Sequence, residues 1–306
     1  MSDVMNPMAQ FFARLGHRII QTPSALWYDV QPRVLLSLPY FRQINPTEDE
    51  LNQLMRQHKI RALRFPTSLE SFGFASTLAI NTNPNYDLNC QHQKARNQTR
   101  RGLENCRVEP IDFDYLIKKG LPLNQDTARR QGRESQYAHP DYWRKFCCAA
   151  QATPGVSAWG AFIKGELAVF LVAIEVDDWV EWVVNHSDTA FRKQYPNNAL
   201  VFHVARYFFQ EKKCKGICYG LGSLEATSEL DHFKQRMGWE LKPIKQRLLL
   251  SQNLQWTFAW AREPCLKILN KIFPQSYTVR KTSALIRLYR QQTSKLPSPN
   301  HDKNNS

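Results

Sequence analysis

Apolar residues in the first quarter of the chain come in short runs broken by turn residues. Residues 26–30 (Leu-Trp-Tyr-Asp-Val) and 34–38 (Val-Leu-Leu-Ser-Leu) predict two strands separated by Gln31-Pro32. Thr47-Glu48-Asp49-Glu50 then starts a helix, with the threonine capping an amide and Leu51, Leu54 and Met55 on one face. Residues 60–65 form a strand closed by Pro66, so strand, helix and strand follow one another as in a layer of an α/β unit. Residues 87–105 predict a basic helix carrying Lys94, Arg96, Arg100 and Arg101, followed by a short strand at 107–111. Helices are expected at 111–120 and 142–150, with a polar, partly helical or mobile stretch between them.

The pattern is clearest from residue 156. Strands at 156–163, 167–176 and 179–185 are joined by Lys164-Gly165-Glu166 and Asp177-Asp178, links short enough to impose an antiparallel meander. Residues 167–174 are the longest apolar run, too short for a bilayer and the length of a buried strand. A helix at 199–211 follows, with Val201, Val204, Ala205 and Phe208 at helical spacing, then a strand at 217–219, a short helix at 228–237 and a last strand at 241–250. Amphipathic helices are expected at 256–273 and 283–292. The residues beyond 294, without periodicity, read as a disordered tail.

Composition adds two constraints. With 42% hydrophobic and 22% charged residues in 306, the chain has the makings of a globular core. The formal charge of +14 is uneven: residues 242–306 hold twelve Lys/Arg and two acids, a basic field suited to anionic partners such as an anionic membrane surface or RNA. Seven cysteines without a C-x-x-C pair read as reduced thiols rather than a metal site. The start of the chain has no secretory-signal pattern, so the expected location is the cytoplasm, including peripheral attachment to the inner membrane surface. Neither a G-x-S-x-G elbow nor a nucleotide-binding glycine fingerprint is present.

The order of elements from the basic helix onward resembles the GNAT acyltransferase fold, in particular its FemAB-like branch of peptidoglycan aminoacyltransferases and related acetyltransferases. The residues carrying the resemblance are Tyr86-Asp87-Leu88 with the following cations, the Lys164-Gly165-Glu166 turn, Tyr195-Pro196-Asn197-Asn198-Ala199-Leu200, and Phe233-Lys234-Gln235-Arg236-Met237-Gly238-Trp239. It implies an α+β protein with a GNAT-like mixed sheet, an antiparallel meander plus a splayed strand, flanked by helices and followed by C-terminal amphipathic helices. The implied division is an N-terminal α/β portion at 1–80 (a degenerate GNAT-like half), an acyltransferase domain at 81–250, a basic helical extension at 251–294 and a tail at 295–306.

The implied activity is N-acyl transfer, acetyl or aminoacyl, from an activated carrier to an amine. Acyl-CoA or another acyl carrier serves as co-substrate and no cofactor is permanently bound. The alternative is a catalytically inactive GNAT-fold protein that holds an anionic partner through its basic C-terminus. Two departures bear on this choice: no glycine lies between Gly165 and Gly216, where ordinary GNAT enzymes cradle a pyrophosphate, and Tyr219-Gly220-Leu221-Gly222 stands where relatives often have Phe-Asp-Phe-Gly.

Within that frame the candidate catalytic residues are Glu181, His186 and Tyr219. Strand alternation sets Glu181 opposite Trp182, as a base or, more ordinarily, as a solvent-facing residue. His186, beside Asp188, is a catalyst or a turn or cap residue, and Tyr219 an acid or a core tyrosine. The candidate donor-binding residues are Arg192 and Lys193 ahead of Pro196, Asn197 or Asn198 as the helix cap, and Lys234 and Arg236 on the short helix, whose plainer reading is a solvated basic face.

Overall fold

The computed structural model describes residues 6–132, 134–222, 228–255 and 277–293. The second amphipathic helix is present there, whereas the one expected at 256–273 and the tail beyond 294 lie outside the described residues. An eleven-stranded mixed sheet, in the order β1-β2-β3-β4-β11-β5-β10-β9-β8-β7-β6, forms the frame. Its strands are β1 (Ile19–Gln21), β2 (Leu26–Gln31), β3 (Val34–Leu38), β4 (Ala62–Thr67), β5 (Phe74–Asn81) and β6 (Arg107–Pro110), then β7 (Val156–Ile163), β8 (Glu166–Val176), β9 (Trp179–Ser187), β10 (Gly216–Leu221) and β11 (Glu240–Leu250). The helices are α1 (Pro7–Arg14), α2 (Glu48–His58), α3 (Gln93–Asn105), α4 (Phe113–Arg130), α5 (Pro140–Gln151), α6 (Pro196–Gln210), α7 (Ser228–Arg236) and α8 (Tyr277–Thr293).

The expected meander is present as β7-β8-β9. Lys164 and Gly165 both take positive φ (50° and 85°), as the two central residues of a tight hairpin turn require, and Ile163 pairs with Glu166 across it. In the stretch after residue 120, expected to be partly helical or mobile, α4 continues to Arg130 and a 3-10 turn spans Gln136–Ala138. Pro122 is tolerated inside α4 while Leu123, Asn124, Thr127 and Ala128 make a buried stripe at helical spacing that outweighs the missing amide.

The two ends of the sheet share one connectivity. A three-strand meander (β1-β2-β3, β7-β8-β9) leads through a helix (α2, α6) to a strand parallel to its third member (β4, β10). The strands that follow are exchanged: β11 pairs with β4, while β5 pairs with β10 and β11, so the sheet crosses the 80/81 boundary without a break.

Helices cover both faces. On one face α6 packs with Val180, Trp182, Ile217, Trp159 and Leu171. On the other, α1, α4 and α5 pack with Phe170, Val172, Ile174 and Val184, and the same core includes Tyr28 from β2. In the strand order β2 and β8 are seven spacings of about 4.8 Å apart, so they can share a core only if the sheet curls round this second, concave face. Contacts across the concavity agree: Phe12 stacks on Tyr28 at 4.2 Å, Phe41 stacks on Trp179 at 4.8 Å, and Arg42 pairs with Asp177 at 2.6 Å. Among the described residues no helix is long and apolar enough to cross a membrane.

Candidate active site

The strands β9 and β10 run parallel for three residue pairs only, Trp179–Gly216, Val180–Ile217 and Glu181–Cys218, although β9 continues to Ser187 and β10 to Leu221. Beyond Glu181 β9 stays with β8, β10 stays with β5, and the two part. An extra residue at Val183 interrupts the β8–β9 register at the same level and bends β9 further. The result is a wedge in the middle of the sheet, opening towards the start of α6.

Glu181 stands at the apex. Far from facing solvent, it is fully buried, because the side of β9 opposite Trp182 meets the helix-covered concave face and not water. Its carboxyl oxygens accept no hydrogen bond of normal geometry, and its polar neighbour is the Cys218 thiol, paired with it in the register. Burial pushes the Glu181 carboxyl up to about 8, with the thiol and the Lys234 ammonium pulling weakly the other way.

Tyr219 lies on the opposite, α6 side of the wedge. Its hydroxyl accepts the Asn185 amide at 2.8 Å, a bond that bridges the parted strands, and its ring packs edge-on against Trp182 at 5.0 Å. Burial raises this phenol well above its ordinary value, so it keeps its proton. Trp182 and Trp239 pack at 5.1 Å beside it, and both indole N–H groups are buried without a hydrogen-bond partner.

Lys234 is not on a solvated face. It is 5% exposed, with Nζ 5.1 Å above the Tyr219 ring and 3.9 Å from Asp231, and burial lowers its pKa. Arg236 is half-buried and bonds through Nε to the His232 carbonyl at 3.1 Å, away from Lys234's position over the ring.

His186 is neither turn nor cap. It lies within β9 on the concave side, its Nδ1 2.5 Å from Asn124 Oδ1 and its ring edge-on to Tyr137 and Phe170. The α4 helix braces the segment after it: Asp126 accepts the Thr189 N–H at 2.9 Å, and Arg130 donates to the Ser187 carbonyl at 3.2 Å.

The start of α6 also differs from expectation. Neither Asn197 nor Asn198 caps it. Tyr195, in the left-handed region (φ 59°), is the capping residue and Pro196 occupies the first helical position. Asn198 is instead buried with its amide on Met237 Sδ at 3.3 Å, and Asn197 Oδ1 is buried without a partner. No side chain caps this end, no acid lies in the first turn, and Arg192 and Lys193 are exposed just before it. Its first amides are left without a side-chain cap, and the positive dipole end follows directly on the segment that leaves β9. A glycine does matter here, though not in the loop: a Cβ on Gly102 of α3 would lie 2.5 Å from the Tyr195 carbonyl, so only glycine lets α3 close against the helix start.

Sequence reasoning therefore named Glu181, Tyr219, Arg192, Lys193 and Lys234 near one wedge and missed Asn185, Cys218, Trp182 and Trp239. Trp182 and Asn185 lie on β9 and Trp239 just before β11, so the chain kept the strand pair in view but not the face they share.

No protein-family model and no curated protein matches the sequence. Solved structures do match in three dimensions. FemX is 12% identical over 83% of this chain and 94% of its own, with a TM-score of 0.61. The C-terminal domain of a putative lysylphosphatidylglycerol synthetase from Agrobacterium fabrum is 10% identical over 83% and 91%, with a TM-score of 0.54. L-PGS from Bacillus licheniformis is 14% identical over 91% of both chains, with a TM-score of 0.52. The chain shares the α+β fold of these proteins, a mixed sheet flanked by helices.

Proposed function

We propose that this protein is an N-acyltransferase that moves an acyl group from an activated carrier to an amine. The observation that carries the reading is the wedge between β9 and β10, with a buried carboxyl of raised pKa at its apex and an uncapped, cation-flanked helix start at its mouth. Similarity in fold to FemX and to the lysylphosphatidylglycerol synthetases supports it.

Strand alternation divides the labour between the two faces. The donor enters from the α6 face, its phosphates on the amides of Asn197 and Asn198 with Arg192 and Lys193 alongside. Asn197, Lys234 and Arg236 complete that side as polar and cationic groups. Donor carbonyls find the unspent indole N–H groups of Trp182 and Trp239. The acceptor amine approaches from the concave face, where Glu181, when ionised, takes its proton. The neutral amine attacks the acyl carbonyl, the carbon–sulfur or carbon–oxygen bond to the carrier breaks, the leaving group takes the proton of Tyr219, and the proton shed by the nitrogen as the amide forms restores the phenol. That proton is free to move because the hydroxyl is engaged only as an acceptor, from Asn185. His186, held by Asn124, shapes the concave side beside Glu181.

The test is calorimetry with acetyl-CoA and with a phosphopantetheine-bearing acyl carrier. Binding of either one, weakened by reversing Arg192 and Lys193, is expected. Failure of both to bind at millimolar concentration would sink the enzymatic reading.

A further inference from the structure

We propose that the concave face carries an oxyanion pocket built on Arg64, Tyr28 and Tyr40, which holds a carboxylate or phosphate of the acceptor while its amine reaches Glu181. This rests on the acyltransferase reading for its purpose but not for its existence.

The placement follows from the register. Tyr28, Leu36 and Arg64 are successive partners across β2, β3 and β4 and so share the concave face, as Glu181 and Cys218 do in the other half of the sheet. Arg64 also occupies the position in its half that Cys218 occupies in the other: both belong to the last parallel pair before the strands part. Tyr28 feels the field of both the Arg64 guanidinium and the Glu181 carboxyl, and Tyr40 likewise lies within reach of both. The tyrosine pair thus shares its surroundings with the Arg64 cation of one half of the sheet and the buried Glu181 of the other.

The guanidinium is oriented and unspent. Its Nε donates to Gln246 Oε1 at 2.6 Å, and Gln246, itself fully buried, donates to Ser76 Oγ at 2.5 Å. This chain of buried amide and hydroxyl fixes the guanidinium plane and leaves the two terminal nitrogens as a fork. Among the described residues no carboxylate lies within ion-pair distance of Arg64 and no acceptor takes those nitrogens. Arg64 and Tyr40 retain partial exposure although protein surrounds them closely, the condition of side chains lining a recess. Burial brings the guanidinium down to about 10, which still leaves it charged at neutral pH.

The tyrosines cannot be its counter-ions. Burial raises both phenols, so both are neutral. Their hydroxyls lie 2.6 Å apart and share one hydrogen bond, which uses one of their two protons and leaves the other for a ligand. A buried arginine without a counter-charge is costly to a fold, and removing that cost by an anion is a binding free energy. A fork of two guanidinium nitrogens plus one phenol matches a planar carboxylate or two phosphate oxygens. Donor phosphates are accounted for on the opposite face, so this pocket falls to the acceptor.

The experiment titrates sodium acetate and, separately, inorganic phosphate into the full chain at constant ionic strength, following intrinsic fluorescence and thermal stability. The wild type is expected to bind at least one probe, and whichever binds more tightly assigns the acceptor's charged group as carboxylate or phosphate. Arg64→Met is expected to weaken that binding at least tenfold and Arg64→Lys to recover part of it, since a point charge replaces the fork. Tyr40→Phe, which keeps the ring, covers the case in which Arg64→Met does not fold, and a severalfold loss is expected from it. Acetyl-CoA affinity should be unchanged in Tyr40→Phe. Neither probe binding at tens of millimolar, or binding unaffected by Arg64→Lys and Tyr40→Phe alike, overturns the pocket. Probe binding that depends on Arg64 in a protein that ignores acetyl-CoA would uphold the pocket and count against the acyltransferase reading alone.

Discussion

The sheet contains two parallel pairs at the end of two like meanders, and they differ in what happens where the strands part. Between β3 and β4 the gap is filled: the chain after Pro39 turns back, and the Ile44 N–H bonds to the Pro66 carbonyl at 3.0 Å. The helix that follows, α2, begins with Glu48, Asp49 and Glu50 and is capped by Thr47 Oγ1, which accepts the Glu50 N–H at 3.2 Å. Among the described residues no such strap crosses the gap between β9 and β10, and α6 begins with neither acid nor side-chain cap. An acidic, capped helix start satisfies its own amides and repels anions; a bare one leaves both amides and dipole for a ligand. One connectivity thus serves once as scaffold and once as a candidate site, and charge at the two helix starts separates them.

Glu181→Gln should break the second gap's chemistry most severely, lowering kcat/KM by about 10²–10⁴-fold as removal of a general base does. In the wild type kcat/KM should climb as pH rises through about 8, the value to which burial brings this carboxyl, since the base must be ionised to act. Stability should move the opposite way. The folded state holds this proton more tightly than the unfolded chain, so stability falls as pH rises from the ordinary carboxylate range to about 8, by about 1.4 kcal/mol for each pH unit crossed. Denaturant titrations across that window should show the slope flattened in Glu181→Gln; an unchanged slope would mean that Glu181 titrates normally.

Giving the second helix start the charge of the first is the next test. Arg192→Glu with Lys193→Glu should cost donor affinity about tenfold or more while shifting stability by no more than about 0.5 kcal/mol, because both side chains are exposed. Equal acetyl-CoA affinity by calorimetry would move the donor site elsewhere. Gly102→Ala forces a methyl towards the Tyr195 carbonyl and should cost about 1–3 kcal/mol in chemical denaturation, with donor binding weakened because the helix start shifts. Smallest is Thr47→Ala at the filled gap, about 1 kcal/mol of stability with donor binding untouched.

Much of the site's half of the molecule could be read from the chain. Two-residue links fixed the β7-β8-β9 meander, and the spacing of Val201, Val204, Ala205 and Phe208 fixed the face of α6. Alternation correctly set Glu181 opposite Trp182, yet the inference that it meets water failed. The clue lay one strand earlier: residues 167–174 are apolar without alternation, which means that both faces of β8 are covered, and so are those of its neighbour β9. The strand β5 went unseen because Ala75, Ser76 and Thr77 break its apolar pattern, and its burial comes from β10 and β11, which lie far along the chain. Helix caps of the polar kind were readable at Thr47 and misleading at Asn197 and Asn198, where Pro196 had already taken the first helical position. The parting of β9 and β10 leaves no local trace, since it depends on which strand each keeps as its other neighbour.

The exchange of β5 and β11 also has a bearing on how the molecule is made. Residues 62–67 wait for residues 240–250 as their sheet partner, and β5 lies between two strands that are synthesised more than a hundred residues after it. On the ribosome the N-terminal portion therefore emerges with one edge of β4 and both edges of β5 unpaired and must be kept from pairing wrongly until the chain is nearly complete. Contacts of such long sequence separation predict slow, all-or-nothing assembly. A chain cut before β11 should leave both halves of the sheet unfinished instead of releasing one folded half.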